Sequence, residues 1–370
     1  RMKLEIGKKQ YLNFGATTAI GASPKTWLRM LVKYRKELDW QFIPKALTVL
    51  LLTCFNAPAI WWERLKFDKQ IKATLVKQPL FIIGHQRSGT TYLHYLIGKD
   101  PNYTYCSVKE SFMPWIFLSN ERSLKKLLSG KMPNKRPMDN LKMSVDLPTE
   151  PEYSLGNMGV ASMVPGYYFP RKIMDTFRKY VLFEDEDGKR EWQSNLKYFM
   201  QKLTLKHNGK ALVMKSPENL GRIKEILEVF PDAKFLHIYR NPFNVYFSTE
   251  RLYSITIPMV AFQHCEPAVI QDFILESYPK YFEKYFKDKA LIPEGNLAEI
   301  RYEDLIGNEM SVLETAYSEL NLDQFDEAKA FIESEVKSYK DYKTNTYDFP
   351  EDRKQVVKEQ WSWVFKKLGY

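Results

Sequence analysis

Cysteine and histidine are scarce in this sequence. The chain of 370 residues has three cysteines, Cys54, Cys106 and Cys265, and five histidines. Cysteines this few and this scattered exclude a disulfide framework and a cysteine-based zinc site, and they favour a reducing compartment such as the cytoplasm. With 44% hydrophobic and 27% charged residues, the composition excludes a disordered chain, a collagen-like fibre and a coiled coil.

Long hydrophobic runs are missing as well. The charge-free segment 46–62 has 17 residues and contains Asn56 and Pro58, whereas a membrane-spanning helix needs about 20 apolar residues. We expect a buried or amphipathic helix pair packed on the core; the alternative is a helix that lies on a membrane surface or flanks an apolar substrate. Because residues 1–5 carry charges, we expect no secretory signal there.

The charge of the chain is predominantly positive. Lysine and arginine number 55 against 45 acidic residues, which gives a net charge of +10 and an isoelectric point near 9.1. This indicates an anionic partner: nucleic acid, anionic lipid or a phosphorylated small molecule. The positive charge is spread along the chain and not massed in one tract, which disfavours nucleic acid.

From about residue 78, short apolar runs alternate with helical periodicity. The strand candidates are residues 79–84, 211–214, 235–239 and 297–302. This alternation predicts an α/β, P-loop-like three-layer fold in which helices flank a central parallel sheet. We expect residues 1–77 to form an N-terminal helical segment that covers the core, and 78–370 to form the α/β domain.

Within that domain, residues from about 102 to 210 follow neither pattern. They are rich in proline, methionine and aromatics and predict an irregular insertion, with a solvated acidic loop at 184–188. A basic cluster lies inside the insertion and consists of Lys125, Lys126, Lys131, Lys135 and Arg136.

A glycine-rich loop follows the first predicted strand. It reads Gly84-His85-Gln86-Arg87-Ser88-Gly89-Thr90-Thr91. Between a strand and a helix, such a loop forms a nest of backbone N–H groups for an anion. It matches the phosphate loop of nucleotide triphosphatases at both glycines and the last hydroxyl, but Thr90 replaces the lysine and the positive charge lies at Arg87. The strand 235–239 ends in Arg240 where those enzymes have a metal-binding aspartate. We therefore predict a shorter anion held without metal, such as a 5′-phosphosulfate; a metal-dependent P-loop kinase is the alternative.

A second anion-binding pair follows the strand 235–239. Arg240 ends that strand, Asn241 and Pro242 cap and open the next helix, and Ser248 lies less than two turns along it. The carboxyl ends of strands in an open α/β sheet are where ligands bind. Arg240 and Ser248 therefore suit a second phosphate, as on a nucleotide that is phosphorylated at its 5′ and 3′ positions.

These segments resemble the sulfotransferase superfamily that uses 3′-phosphoadenosine 5′-phosphosulfate (PAPS), and its bacterial-type branch in particular. Residues 81–91 are similar to its 5′-phosphosulfate loop, 235–248 to its 3′-phosphate motif, and 300–305 to a motif near the end of these domains. The bacterial branch also has Lys215-Ser216-Pro217 and the ending 363–370. The likeness runs from about residue 78 to the C-terminus.

The resemblance implies a role for each matching residue. Arg87 takes the place of the basic loop residue that stabilises charge on the phosphosulfate bridge, and Lys215 that of a lysine which contacts the sulfuryl group. Ser88, Gly89, Thr90 and Thr91 would bind the 5′-phosphate, Tyr92 would stack on adenine, and Arg240 and Ser248 would hold the 3′-phosphate. No metal is implied.

The general base is less defined. Many relatives have a histidine just after the lysine, but Ser216 stands there. The stretch 146–152 is similar to an acidic motif of the bacterial branch, so Glu152 or Glu150 is a candidate. His94, one turn into the helix after the loop, is the other candidate, although a lone helical histidine is more often structural.

Aromatic and methionine side chains are concentrated where these enzymes bind their acceptor. Such stripes are more often core than pocket; if part of them lines the site, the acceptor is an apolar alcohol such as a sterol, steroid or lipid alcohol. The basic cluster leaves a carbohydrate acceptor open, and a phenol is a further alternative. The stripes comprise Phe112, Met113, Trp115, Phe117, Met158, Met163, Tyr167, Tyr168, Phe169, Tyr253, Met259 and Phe262. The oligomeric state is not indicated by the sequence.

Overall fold

The computed structural model describes residues 2–13, 15, 17–130, 135–136, 141–322, 324–340 and 350–370. Lys131 of the basic cluster lies outside the described residues. The chain divides into two compact units, each built from three stretches. Unit 1 comprises residues 1–74, 107–206 and 250–273, and unit 2 comprises 75–106, 207–249 and 274–370. The domain division expected from the sequence, 1–77 and 78–370, stays a prediction.

Five strands form one sheet in unit 2. They are β1 Leu80–Ile83, β2 Tyr103–Tyr105, β3 Ala211–Lys215, β4 Lys234–Tyr239 and β5 Leu297–Arg301. All neighbours are parallel, in the order β2-β3-β1-β4-β5. The α/β fold with a central parallel sheet is thereby confirmed. The stretch from about 102 to 210 is not irregular as expected: it begins with the short edge strand β2 and contains six of the helices given below.

Sixteen α-helices are described. In chain order they are α1 Pro24–Lys33, α2 Ile43–Ala73, α3 Thr90–Ile97, α4 Val108–Phe112, α5 Glu121–Ser129, α6 Glu152–Met158, α7 Val164–Tyr168, α8 Ile173–Tyr180, α9 Glu186–Lys206, α10 Ile223–Val229, α11 Pro242–Val260, α12 Pro267–Asp288, α13 Tyr302–Leu305, α14 Glu309–Glu319, α15 Phe325–Ser338 and α16 Glu351–Leu368. The acidic stretch 184–188 is not the separate loop expected, because its last three residues open α9, where negative charge favours the helix N-terminus.

The sheet is covered on both faces because alternate residues of its strands point to opposite sides. On one face Leu80, Ile82 and Leu236 join a buried cluster with residues of α3, α14 and α15. On the other, Phe81 packs against Phe230 at the end of α10. The three layers place the loops that follow β3, β1 and β4 side by side at one edge of the sheet.

Unit 1 is helical and has a core of its own. Its buried cluster joins α1 and α2 to α7 through Trp27, Ala46, Tyr168 and Phe262. The segment 46–62 is one continuous stretch of α2, not the helix pair expected, since α2 runs through Pro58 for 31 residues. One face of α2 is buried in unit 1, and a row of large apolar side chains on the other is exposed.

Candidate active site

The loop between β1 and α3 has a backbone that only certain residues can adopt. Gly84 has φ +153°, and a Cβ there would lie 2.3 Å from the carbonyl oxygen of Ile238. Gly89 has φ +96°, and its Cβ would lie 2.4 Å from the ring of Tyr302. Arg87 has φ +71°, a left-handed conformation that costs a non-glycine residue roughly 1–3 kcal/mol. Such a conformation is characteristic of loops in which successive N–H groups turn inward to form an anion nest.

α3 begins immediately after this loop, at Thr90. The first N–H groups of a helix have no acceptor within the helix, and the helix dipole adds positive potential at this end. Ser88 and Thr90 are buried, while Thr91 keeps partial exposure. The loop and the helix start therefore provide the amide and hydroxyl donors that a phosphate or sulfate group requires.

Arg87, Arg240 and Ser248 converge at this loop. Arg87 Nε donates a hydrogen bond to Ser248 Oγ over 2.7 Å. Arg240 Nη1 donates to the carbonyl oxygen of Arg87 over 3.3 Å. The adjacency of β1 and β4 brings these residues together although 161 positions separate Arg87 from Ser248. The two anion-binding motifs expected from the sequence thus lie at one place in unit 2.

The guanidinium of Arg240 rests on an aromatic ring. Its Cζ lies 4.2 Å from the ring centroid of Tyr302, a cation–π geometry that fixes the plane of the arginine. The buried Nε of Arg240 has no hydrogen-bond partner within the described part of the chain. A buried donor without a partner costs free energy, and an anionic oxygen would satisfy it. This is the observation that fits a bound phosphate.

Lys215 brings another positive charge to the loop. It ends β3 and lies beside Ile82 in the sheet register. Its Nζ donates to Thr91 Oγ1 over 3.4 Å, and the residue is buried. Lys215 therefore faces the same end of α3 that holds the loop hydroxyls, where it can stabilise negative charge on a group bound there.

His94 and Tyr92 occupy different surroundings on α3. His94 is fully buried, and its Nε2 lies 3.4 Å from the carbonyl oxygen of Val213. Burial, together with the charge of Lys215, lowers the pKa of His94 to about 3. Tyr92 is half-buried and donates through its hydroxyl to Glu309 Oε1 over 3.2 Å, which orients its ring. Because its pKa is lowered to this extent, His94 is neutral at physiological pH.

Glu152 belongs to unit 1, where it opens α6. Its side chain is buried, and Oε1 accepts the N–H of Met163 over 2.6 Å. All of the apolar residues expected to cover an acceptor are also in unit 1, and most of them, including Phe117 and Phe262, are buried core. Four of them keep partial or full exposure: Phe112, Trp115, Tyr167 and Met259.

Tyr302 lies in the stretch 300–305 that resembles a family motif, but the sequence analysis gave it no role in the site. It lies directly after β5, contacts the place where a Gly89 side chain would be, and supports Arg240. Glu303 next to it accepts the N–H of Asn241 at the start of α11. Both follow the carboxyl end of β5, which is adjacent to β4. The rule that ligands bind at the carboxyl ends of strands pointed to Arg240 and could also have pointed to these two residues.

Comparison with known proteins agrees with this arrangement. A family model described as the sulfotransferase family matches residues 79–327, more than half of the chain. A curated relative from Mycobacterium bovis, omega-hydroxy-beta-dihydromenaquinone-9 sulfotransferase Stf3, is 28% identical over 368 residues, which cover 98% of this chain and 93% of the relative. The protein of the same name from Mycobacterium tuberculosis matches equally.

Two solved structures share the fold. The sulfotransferase STF1 from Mycobacterium tuberculosis has a TM-score of 0.69 at 16% identity, with 98% of this chain and 100% of that one covered. The sulfotransferase STF9 from Mycobacterium avium has a TM-score of 0.69 at 14% identity, with 94% and 96% covered. At these identities the likeness concerns the fold alone.

The family match decides among the classes that the sequence left open. A P-loop kinase would not explain a sulfotransferase family match over residues 79–327. A protein that only binds one of the other anionic partners, nucleic acid or anionic lipid, would not explain it either. Membership of this family implies PAPS as the sulfuryl donor and a small-molecule acceptor. The phosphate-type loop, the arginines beside it and the family match lead to one conclusion: the chain belongs to the sulfotransferase family and is a sulfotransferase.

Proposed function

We propose that the loop after β1 binds the 5′-phosphosulfate end of PAPS and that Arg240 holds its 3′-phosphate. The buried, unpartnered Nε of Arg240 carries this proposal. PAPS supplies an activated sulfuryl group when bound. The hydroxyls of Ser88, Thr90 and Thr91 and the amides at the start of α3 would bind the 5′-phosphate.

The chain's own residues would contribute mainly electrostatic stabilisation. Arg87 and Lys215 hold fixed positive charge at the loop, where negative charge increases as the sulfuryl group leaves its phosphate. A positioned donor of this kind is often worth about 3 kcal/mol. The hydrogen bond from Arg87 to Ser248 holds the guanidinium in place before the reaction, so little reorganisation is needed.

A general base would take the proton of the acceptor hydroxyl. Of the candidates, we infer that a carboxylate, Glu152 or Glu150, serves and that His94 does not. A base must come within hydrogen-bond reach of the acceptor, and His94 is enclosed beside Val213 with a strongly lowered pKa. Glu152 is buried as well, and its assignment depends on the similarity of the stretch 146–152 to the acidic motif of the bacterial branch.

The acceptor we propose is an apolar lipid alcohol. The curated relatives at 28% identity are named for an omega-hydroxylated menaquinone derivative, which is such an alcohol. The partly exposed aromatic residues of unit 1, among them Phe112 and Tyr167, also suit an apolar acceptor better than a sugar. An alcohol of this kind resides in membranes, so the enzyme would meet it at a bilayer surface.

Binding experiments test the donor. Calorimetry should show that adenosine 3′,5′-bisphosphate binds at least tenfold more tightly than adenosine 5′-monophosphate, about 1.4 kcal/mol or more. Arg240→Ala should abolish this preference and leave the affinity for the monophosphate unchanged. Equal affinity of the wild type for both nucleotides would refute the assignment of Arg240.

Activity with PAPS tests the acceptor. A panel of an omega-hydroxylated isoprenoid quinone, a sterol, a phenol and a sugar should give turnover with the first and little with the last. Preferential sulfation of the sugar would contradict the lipid acceptor, while the donor assignment would stand.

A further inference from the structure

The outer face of α2 carries a continuous row of exposed apolar side chains. Phe55 is 81% exposed, Trp61 65% and Leu51 62%. At 100° per residue, these positions fall within about one third of the helix circumference. Large apolar residues that are exposed singly are normal, but a contiguous patch marks an interaction surface. We call this row the α2 stripe; its members are Leu47, Leu51, Phe55, Trp61, Trp62 and Leu65.

The opposite face of α2 is fixed to unit 1. Lys45 Nζ donates to the carbonyl oxygens of Val260 and Ala261 over 3.3 and 3.0 Å. Glu63 forms a buried ion pair of 2.6 Å with Lys202 and also accepts the N–H of Ser119 over 2.8 Å. Breaking a buried pair leaves an uncompensated charge and costs roughly 3–5 kcal/mol. The orientation of α2 is therefore set, and the stripe stays outside.

Residues Trp40–Ala73 are long and apolar enough to cross a membrane by length and composition alone. A spanning orientation, however, would place Lys45 and Glu63 in hydrocarbon and remove both from their partners in unit 1. An orientation parallel to the membrane needs neither change, because only the stripe enters the apolar layer. The structure thus favours a helix on the surface over a helix across the membrane.

The exposed charges of α2 are all positive. They belong to Arg64, Lys66, Lys69 and Lys72 and follow or border the C-terminal end of the stripe. Of the acidic residues of α2, Glu63 is buried. Asp68 accepts a hydrogen bond from Tyr198 over 2.6 Å and lies 3.5 Å from Arg64 and 4.0 Å from Lys72, which leaves the excess of positive charge at Lys66 and Lys69. Basic residues beside an apolar helix face attract anionic headgroups. A second protein copy that packed its α2 parallel to this one through the same stripe would bring these charges together, which is unfavourable.

We propose that α2 lies in the headgroup layer of a bilayer that contains anionic lipid, with the α2 stripe inserted among the upper acyl chains. Trp61 and Trp62 suit the boundary between headgroups and chains. A groove of about 570 Å³ beside Trp61 lies at this end of the stripe; it is lined by the apolar residues Pro24, Ala57, Ile60 and Leu65 and by the charged residues Arg64, Asp68 and Lys69. The proposal extends the lipid acceptor proposed above to the surface on which the enzyme meets it, but vesicle binding itself requires neither donor nor acceptor.

Flotation with vesicles tests the proposal. The full chain should float with vesicles of phosphatidylcholine mixed with phosphatidylglycerol and much less with phosphatidylcholine alone. The triple variant Leu51→Gln, Phe55→Gln and Trp62→Gln should bind at least about tenfold more weakly. The matched control is Leu291→Gln with Phe331→Gln, two residues of similar exposure in unit 2, which should bind like the wild type.

The basic residues have a test of their own. Lys66→Gln with Lys69→Gln should weaken binding to the mixed vesicles about fivefold per lysine, and should not change the weak binding to phosphatidylcholine. Because the variants alter exposed side chains, their thermal unfolding and their affinity for adenosine 3′,5′-bisphosphate should match those of the wild type. A variant that fails this check is replaced by the single Phe55→Gln.

Three outcomes would overturn the proposal. Undiminished vesicle binding by the triple variant would exclude the stripe as the contact. A lipid-free dimer that the triple variant converts to a monomer would identify the stripe as a protein interface. Resistance of the vesicle-bound wild type to extraction by high salt and alkaline carbonate would indicate a spanning helix. An inactive enzyme that still binds vesicles through the stripe would contradict only the proposed reaction.

Discussion

Arg87 and Ser248 are joined by a hydrogen bond of 2.7 Å from Nε to Oγ. The contact links the loop after β1 to α11, so a residue expected to act on the sulfuryl group is held by one expected to bind the 3′-phosphate. The two anion-binding motifs are therefore coupled. Substitutions at these positions should affect each other.

A double-mutant cycle measures this dependence. Arg87→Ala should lower kcat by roughly 10²–10³, because a donor at the developing charge is lost. Ser248→Ala should mainly raise the KM for PAPS. The loss of kcat/KM in the double variant should be smaller than the product of the two single losses, with a coupling energy of about 0.5–3 kcal/mol. Wild-type turnover in Arg87→Ala, or strict additivity, would contradict the assignment.

Tyr302 is expected to position Arg240. Tyr302→Ala removes the ring 4.2 Å from the guanidinium and should weaken binding of adenosine 3′,5′-bisphosphate by about 1 kcal/mol, roughly fivefold. Tyr302→Phe keeps the ring and should retain the affinity within twofold. A comparable loss in both variants would mean that the hydroxyl, not the ring, is what matters.

Gly89 should not tolerate a side chain. Gly89→Ala would place a Cβ 2.4 Å from the Tyr302 ring at a φ of +96°, and the loop must shift to relieve this contact. We expect the affinity for adenosine 3′,5′-bisphosphate to fall at least tenfold. Gly130→Ala is the matched control, because a Cβ there would meet no described atom within 4 Å. Equal binding by both variants would show that the loop is not the anion site.

The base candidates can be separated by kinetics. Glu152→Gln keeps an acceptor for the Met163 N–H, so the fold should survive, while kcat should fall by roughly 10²–10⁴ if the carboxylate removes the proton. Glu150→Gln is the parallel test of the neighbouring carboxylate. His94→Asn should reduce stability and leave the pH dependence of kcat unchanged. A pH profile that changes only in His94→Asn would reverse the assignment.

Lys45 should make stability depend on pH. Burial lowers the pKa of Lys45 from 10.5 to about 7, so between these values the unfolded chain holds a proton that the folded chain lacks. The contribution of Lys45 to the free energy of unfolding should therefore rise with pH above about 7, by up to about 1.4 kcal/mol per pH unit. The free energies of unfolding of the wild type and of Lys45→Met are measured in urea at several pH values, and the difference between them should show this dependence. A difference that is constant with pH would contradict it.

Strands with a strong local signal were predictable. The runs that became β1, β4 and β5 are short, apolar and followed by helical periodicity, and their bounds agree with the structure within one or two residues. Asn241 was expected to cap α11, and its Oδ1 accepts the N–H of Phe243 over 3.0 Å. In each case the signal lies in residues that are close in sequence.

Elements that depend on distant contacts were not predictable. β2 has three residues, and its place at the edge of the sheet comes from pairing with β3. α2 continues through Pro58 although that proline cannot donate a helix hydrogen bond. Buried contacts on both sides of it, such as those of Lys45 and Glu63 with unit 1, hold the helix in place. No local sequence pattern predicts the place of β2 in the sheet or the continuation of α2 through Pro58.

The amino-acid sequence by itself determined the chemistry of the donor site: glycines where only glycine fits, hydroxyls at a helix start, and arginine and lysine at strand ends. Conformational preference and charge are properties of the residues themselves, so they can be recognised along the chain. Only the tertiary structure decided which of these groups meet. The pairing of β1 with β3 and β4 brought Lys215, Arg240 and Ser248 to the loop of Arg87, and the packing of α2 on unit 1 selected the face that remains exposed, because both depend on contacts between residues far apart in sequence.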